Sequence, residues 1–302
     1  MKNKMIILKL LVILLFIILL PACGNRMAEA ADTQPVQEDT ADSVTEPANE
    51  DQEEPALSGK IMIAAAASLQ NVIEDELIPM FNKEYPDITV IGTYDGSGKL
   101  QTQIENGLDA QIFFSAATKQ MDALVDGGFI DPDTVVPLLE NEVVLITGIN
   151  TETQVTGFEN ITDAESIAVG DPASVPAGQY AEEILTSLGT WDEINSGASL
   201  GTNVTEVLKW VAEGSAEVGI VYMTDAAGMP DKVKVIATAP VGMLKTPIVY
   251  PVGLQTGLGE KAEAAEAFMS FLKGLDALRV FSAFGFKTIY LEGSPIEGTM
   301  ES

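Results

Sequence analysis

Residues 169–185 read VGDPASVPAGQYAEEIL. The apolar run Ser166–Val169 meets a Gly-Asp-Pro turn, and Val-Pro-Ala-Gly then leads into an amphipathic helix. A helix opening there presents unpaired backbone N–H groups and the positive end of the helix dipole. Such an end can hold an anion without any charged side chain.

The same strand-to-helix grammar extends to both sides. Upstream, Lys60–Ala65 reads as a short strand. Leu69–Tyr85 follows as a helix with apolar residues at i, i+3, i+4 spacing, Ser68 standing where an N-cap would and Pro86 ending it. Ile88–Tyr94 is a predicted strand, Asp95-Gly96-Ser97-Gly98 a tight loop, Lys99–Asn106 a short helix, Ala110–Ser115 a strand and Thr118–Asp126 a helix. A second cycle starts near Glu142. It has strands at Val143–Thr147, Ser166–Val169, Val218–Tyr222 and Val233–Thr238, and helices at Ala177–Leu188 and Asn203–Glu213. Asn203 and Glu206 are placed like a capping box. Pro247–Leu254 reads as a strand returning to the first unit, and Lys261–Lys273 and Asp276–Phe284 close the chain as helices. Strands alternating with helices imply parallel sheets covered on both faces. The expected architecture is two α/β lobes crossed twice by the chain: residues 59–141 plus 249–302, and residues 142–248. Each is a mainly parallel sheet flanked by helices, with a two-strand hinge near Glu142–Ile146 and Thr246–Val252.

The first 22 residues read as a leader. Lys2 and Lys4 precede the apolar Ile6–Leu20, broken only by Lys9, and the run is short for a membrane span. Leu20-Pro21-Ala22-Cys23 resembles a bacterial lipobox, which makes Cys23 the expected lipidation site and the cell membrane the expected anchor, outside the cytoplasm. Removal of residues 1–22 takes three lysines and moves the net charge from −29 to −32. Residues 23–58 read as an acidic disordered tether. Met27–Ser58 holds ten acidic residues and no Lys or Arg, too polar a stretch to bury a core. About 244 residues then remain for the folded part.

Two absences narrow the chemistry. Cys23 is the only cysteine, so no internal disulfide or thiolate metal site can form, and there is no histidine at all. Ser-His-Asp and Cys-His catalysis, His-ligated zinc and the commonest general base are thereby excluded. Ser97 lies between glycines, but position 95 is Asp, so the nucleophile-elbow pattern is not met. The acidic surface argues against nucleic acid, and the tether lacks the spacing of a calcium loop.

Five strand-to-helix junctions carry small or hydroxyl residues: Ala66-Ala67-Ser68, Gly96-Ser97-Gly98, Val175-Pro176-Ala177-Gly178, Asn203-Val204-Thr205 and Gly219-Ile220-Val221-Tyr222. Ligands of open α/β sheets bind outside the carboxyl ends of the strands, so these junctions converge on one cleft if the lobes face each other. In isolation Ser68 reads as a cap, Ser97 as a turn residue, Ala177 as a helix former and Tyr222 as packing.

Six motifs in order carry a family resemblance: AASL (66–69), GSGKLxxQIE (96–105), VGDPxxVPAGxYA (169–181), LGxWD (188–192), GIVYxxDA (219–226) and FGF (284–286). Across Lys60–Phe286 the chain resembles the molybdate-binding proteins of bacterial ABC importers, which have the type II periplasmic-binding-protein fold. The resemblance implies a non-enzymatic, monomeric binding protein without cofactor. It would capture molybdate, and tungstate with it, and deliver it to an importer made of a permease and its ATPase. It places the oxyanion contacts on Ser68, Ser97, Ala177, Val204 and Tyr222, with hydroxyls from Ser68, Ser97 and Tyr222 and backbone N–H groups from Ala177 and Val204. The resemblance carried by the six motifs overrides the readings that Ser68, Ser97, Ala177 and Tyr222 have in isolation. No residue would ligate a metal cation directly.

Such a donor set suits the chemistry. Molybdate and tungstate are deprotonated dianions that only accept hydrogen bonds, whereas a monoprotonated phosphate also needs an acceptor. Another tetrahedral oxyanion, such as sulfate or thiosulfate, is the alternative ligand, and cavity size must separate it. Three positions depart from the family pattern. Gln111 replaces a common Asp, at a position read as a lobe contact. Asp95 stands where small or hydroxyl residues are usual and is expected to point to solvent. Gly98 replaces a common serine and removes one possible donor.

Overall fold

The computed structural model describes residues 57–289. The leader, Cys23 and all of the tether except its last two residues lie outside the described residues. Leu57, assigned above to the tether, packs part-buried against the core.

The described residues form eleven strands: β1 (Gly59–Ala66), β2 (Ile88–Asp95), β3 (Ile112–Phe114), β4 (Val136–Asn141), β5 (Val143–Gly148), β6 (Ile167–Gly170), β7 (Ser199–Gly201), β8 (Val218–Tyr222), β9 (Val233–Thr238), β10 (Ile248–Leu254) and β11 (Lys287–Thr288). They make two sheets, in the orders β11-β4-β10-β3-β1-β2 and β7-β6-β8-β5-β9. The chain passes from the first sheet to the second at Glu142 and returns through residues 239–247.

Both sheets are mixed rather than mainly parallel. β1 is parallel to β2 and β3, and β6 to β7 and β8. β10 is antiparallel to β3 and β4, and β5 to β8 and β9. The reason is topological. A strand that has just crossed between sheets has no preceding helix to reverse it, so it enters against the parallel strands. The parallel strands are those that feed the site. β1 and β2 end level, with Ala66 opposite Asp95, and β6 and β7 end level, with Gly170 opposite Gly201.

Alternation along the strands sorts side chains onto two faces. Phe113 faces Leu100, Ile104, Met121 and Leu124 on one side of the first sheet. Ile112 and Phe114 face the main core, which also holds Phe81, Phe268 and Phe281. Thr118–Asp126, β8 and β9 occupy the residues expected from sequence.

The long helix expected at Leu69–Tyr85 is instead broken into a 3-10 turn (Ala67–Leu69), an α turn (Gln70–Val72), a π turn (Ile73–Leu77) and an α-helix (Ile78–Glu84). Pro79, at the start of the last piece, has no N–H to donate to the preceding turn, and the wider π turn absorbs the loss. Ser68 is therefore inside the 3-10 turn and is not an N-cap; Ala66 holds that place, with no side-chain cap. The helix expected from Lys99 begins at Ser97. Short elements that carry no periodicity of their own, including β4, β7 and the helices Trp191–Asn195 and Met223–Ala227, add to those expected from sequence.

Candidate functional site

The 169–185 stretch folds as a strand, an Asp-centred turn and a helix. Asp171 accepts hydrogen bonds from the Ala173 N–H on its side chain (2.9 Å) and from the Ser174 and Val175 N–H groups on its carbonyl (3.0 and 2.7 Å). The helix Pro176–Ser187 then runs back over β6 at very close range. A β-carbon on Gly178 would lie 2.0 Å from the Gly170 carbonyl oxygen, so only glycine lets the helix start touch the strand end.

Each of the five sequence-derived positions follows, or ends, a different strand. Ser68 follows β1, Ser97 follows β2, Ala177 follows β6, Val204 follows β7 and Tyr222 ends β8. All five line one cavity of about 10 Å³ between the two sheets, together with Asp95, Ala116 and neighbouring backbone. Ser97, Ala177 and Val204 open the helices Ser97–Glu105, Pro176–Ser187 and Val204–Ala212 within their first two residues. A first-turn N–H has no partner within its own helix. Among the described residues, the N–H groups of Ser68, Ser97, Ala177 and Val204 have no backbone partner.

The hydroxyls are prepared as donors. Ser97 is fully buried and its Oγ accepts from the Ala116 N–H at 3.0 Å, which leaves its own hydrogen free. Ser68 Oγ lies 3.0 Å from Tyr250 Oη. Tyr222 is buried, and its Oη has no hydrogen-bond partner among the described residues. Burial, reinforced by Tyr250, Tyr180 and Asp225 nearby, raises the Tyr222 pKa well above that of an ordinary phenol, so the hydroxyl keeps its proton. A buried hydroxyl without a partner costs about 1–3 kcal/mol. Behind it, the Tyr222 N–H donates to Asp225 Oδ2 at 3.1 Å. Burial pushes the Asp225 carboxyl up to about 7 against the pull of that N–H.

Among the described residues, no Lys or Arg lines the cavity, and Asp95 is its only charged side chain. Asp95 does not point to solvent as expected. Its carboxylate pairs with Lys99, and one oxygen accepts from the Gly96 N–H (2.9 Å) and from Asn203 Nδ2 (3.3 Å). Its side chain is only 15% exposed. Asn203 caps its helix as expected, accepting from the Glu206 N–H at 3.0 Å, but the Glu206 carboxylate reaches back to Thr202 rather than to Asn203, so the box closes one residue early. Gln111 is a joint inside the first sheet: its Oε1 accepts from the Met62 N–H and its Nε2 donates to Asp109.

The two halves meet directly. The Gly98 N–H donates to the Ser174 carbonyl at 2.9 Å, and Gln120 Nε2 to Gln179 Oε1 at 3.2 Å. A second layer escaped the sequence reading. Asn141, buried at the crossing, donates from Nδ2 to Thr224 Oγ1 (2.8 Å) and to Tyr250 Oη (3.2 Å). The available signal was a polar pair, Asn141-Glu142, interrupting two apolar strands; nothing local marked Tyr250. A larger cleft of about 560 Å³ adjoins the site at Ala67 and Ser68. It carries Asp75 and Asp225 together with Lys209, unlike the small cavity, which has no cationic side chain among its lining residues. Among the described residues, no cluster of three or more His, Cys, Asp or Glu side chains could hold a metal ion, and no helix is long and apolar enough to cross a membrane.

Residues 61–287 match the family model described as bacterial extracellular solute-binding protein. The chain belongs to that family. It is 39% identical over 226 residues to YvgL of Bacillus subtilis, provisionally named an ABC transporter substrate-binding lipoprotein; the match covers 75% of this chain and 85% of YvgL. It is 36% identical over 234 residues to the molybdate-binding protein ModA of Escherichia coli, covering 76% and 89%. The Azotobacter vinelandii periplasmic molybdate-binding protein superposes with a TM-score of 0.66 at 25% identity, covering 75% of this chain and 98% of that one. The fold is the two-lobed type II binding-protein fold of these solute-binding relatives, built from two mixed sheets.

Proposed function

We propose that this solute-binding protein captures molybdate, and tungstate with it, outside the cytoplasm and delivers it to the permease and ATPase of an ABC importer. The observation that carries the reading is the donor set. Ser68, Ser97, Ala177, Val204 and Tyr222 gather around one small cavity with free N–H and O–H groups. No cationic side chain lines it, and the one carboxylate is already occupied by Lys99, Gly96 and Asn203. A bare tetrahedral dianion accepts from every such group and needs none in return. Each hydrogen bond to a charged partner contributes ~1.5–3 kcal/mol, so several together offset desolvation. The names of ModA and of the A. vinelandii protein support the ligand, and that of YvgL supports the lipid anchor at Cys23.

The lobes are residues 59–141 plus 249–302, of which 290–302 lie outside the described residues, and residues 142–248, and they rotate about the crossings at Glu142 and 239–247. Ser68 and Ser97 belong to the first lobe, and Ala177, Val204 and Tyr222 to the second. An anion held by both favours the closed form in proportion to its extra affinity for that form. The protein acts as a monomer and catalyses nothing.

Calorimetry of the anion-stripped protein with molybdate, tungstate, sulfate and phosphate tests this. Heat with the two metal oxoanions and none with phosphate is expected. A response to sulfate equal to that with molybdate makes the protein a general oxyanion binder, and silence toward all four removes the reading. Fatty-acid labelling lost in Cys23→Ser tests the anchor.

A further inference from the structure

We propose that Asn141 and Tyr250 are positioning residues that set the direction in which the Ser68 hydroxyl donates, through a one-way chain of hydrogen bonds ending at the cavity. The inference rests on the oxyanion reading above and deepens it.

The direction follows from counting hydrogens. Asn141 Oδ1 accepts from the Glu142 N–H at 2.9 Å, which fixes the other end of the amide as nitrogen. Its two hydrogens go to Thr224 Oγ1 (2.8 Å) and Tyr250 Oη (3.2 Å). Tyr250 Oη, now an acceptor, has one hydrogen left; Ser68 Oγ stands at hydrogen-bond distance, 3.0 Å, whereas the nearby Tyr222 Oη makes no hydrogen bond among the described residues. Ser68 Oγ, accepting in turn, keeps its own hydrogen for the cavity it lines. Tyr250 is fully buried and is held edge-on between Tyr222 (5.6 Å) and Phe286 (5.5 Å), so its oxygen is fixed between Asn141 and Ser68. A serine able to donate or accept is thereby committed to donating. An oxyanion gains from that, because the same serine turned round would present a lone pair to it.

Asn141→Asp inverts the chain without losing its contacts. The carboxylate still accepts from the Glu142 N–H, but where the amide donated to Thr224 and Tyr250 it now accepts from both. Tyr250 must then accept from Ser68, and Ser68 turns its lone pairs to the anion. Tyr250→Phe cuts the chain and leaves Ser68 free to rotate. The experiment is titration calorimetry with molybdate on full-length wild-type protein, N141D, Y250F and N141D/Y250F, at about pH 8, far above the ordinary carboxylate range. Affinity should fall about 30- to 100-fold in N141D and about 3- to 10-fold in Y250F. Adding N141D to Y250F should cost no more than about threefold. Equal N141D losses in both backgrounds mean that the new charge acts through space, and overturn the proposal, as does an N141D protein of unchanged affinity. Should N141D show no cooperative thermal melt, N141S replaces it, with about fivefold loss when Tyr250 is present and none in Y250F. Wild-type protein that ignores molybdate would instead bring down the oxyanion reading itself.

Discussion

Gly98 and Ser174 face each other across the cleft at backbone range: the Gly98 N–H donates to the Ser174 carbonyl oxygen at 2.9 Å, and a β-carbon on Gly98 would stand 2.7 Å from that oxygen. A site expected to lose a donor by having glycine there instead gains a seam between its halves. The Gly98→Ala variant separates helix stability from closure. Alanine favours the helix by up to about 1 kcal/mol, so the ligand-free melting temperature should hold or rise. Oxyanion affinity should nevertheless fall about tenfold, or ~1.4 kcal/mol, because the halves can no longer meet. Paired thermal melts and calorimetry check this; unchanged affinity would mean that the seam can widen at no cost.

Tyr222→Phe should behave unlike an ordinary core substitution. The hydroxyl is buried with no partner among the described residues, so its removal relieves a penalty of about 1–3 kcal/mol. Ligand-free protein should be as stable as wild type or more so. Molybdate binding should weaken about 10- to 100-fold, the worth of one hydrogen bond to a charged group. Chemical denaturation beside calorimetry distinguishes the two effects, and a variant that is less stable yet binds normally would place Tyr222 among packing residues.

Each serine serves the fold as well as the cavity. Ser68→Ala strips the buried Tyr250 hydroxyl of the acceptor for its hydrogen, and Ser97→Ala strips the Ala116 N–H of its acceptor. Each should lower stability by about 1–3 kcal/mol as well as affinity. The double variant should show little heat with molybdate while keeping a cooperative melt. A single variant with wild-type melting temperature would contradict the hydrogen bond assigned to its serine.

Asp225 gives a pH dependence whose sign is fixed. Its carboxyl titrates near 7 in the folded protein, against an ordinary 3.8. Between those values the folded state holds a proton that the unfolded state has released, so this group's contribution to stability falls as pH rises from about 4 to about 7. It is fully present below that window and gone above it. Asp225→Asn should match wild type near pH 4 and exceed it near pH 7.5, with roughly 1 kcal/mol per pH unit gained between them. Denaturation midpoints across that range measure the slope, and parallel curves for the two proteins would show that Asp225 is ionised throughout.

How much of this was legible beforehand follows the range of the interactions. β8, β9 and the helix Thr118–Asp126 were read to the residue, because burial of one face imprints a period on the sequence. The convergence of the junctions was also legible, since junctions of parallel strands share one edge, but the choice of Ser68, Ser97, Ala177, Val204 and Tyr222 within them came from the family resemblance. What failed was long-range or stereochemical. Pro79 breaks a helix whose apolar spacing is intact. Asp95 turns inward because Asn203, 108 residues away, offers it a donor. Antiparallel entry of β5 and β10 comes from crossing between sheets, which leaves no local mark. Tyr250 is tied to Ser68 across 182 residues, beyond the reach of any window.

Under the proposed oxyanion reading, the division of the pocket's donors, two on one half and three on the other with no cation lining the cavity, has a consequence for unloading. Neither half alone would hold the cargo once the other withdrew. No proton transfer, competing counter-ion or hydrolysis on this chain is then needed to set it free. For a receptor that grips both halves, occupancy and shape become one variable: fullness is sensed as a distance, and the act of prising the halves apart is also the act of emptying them.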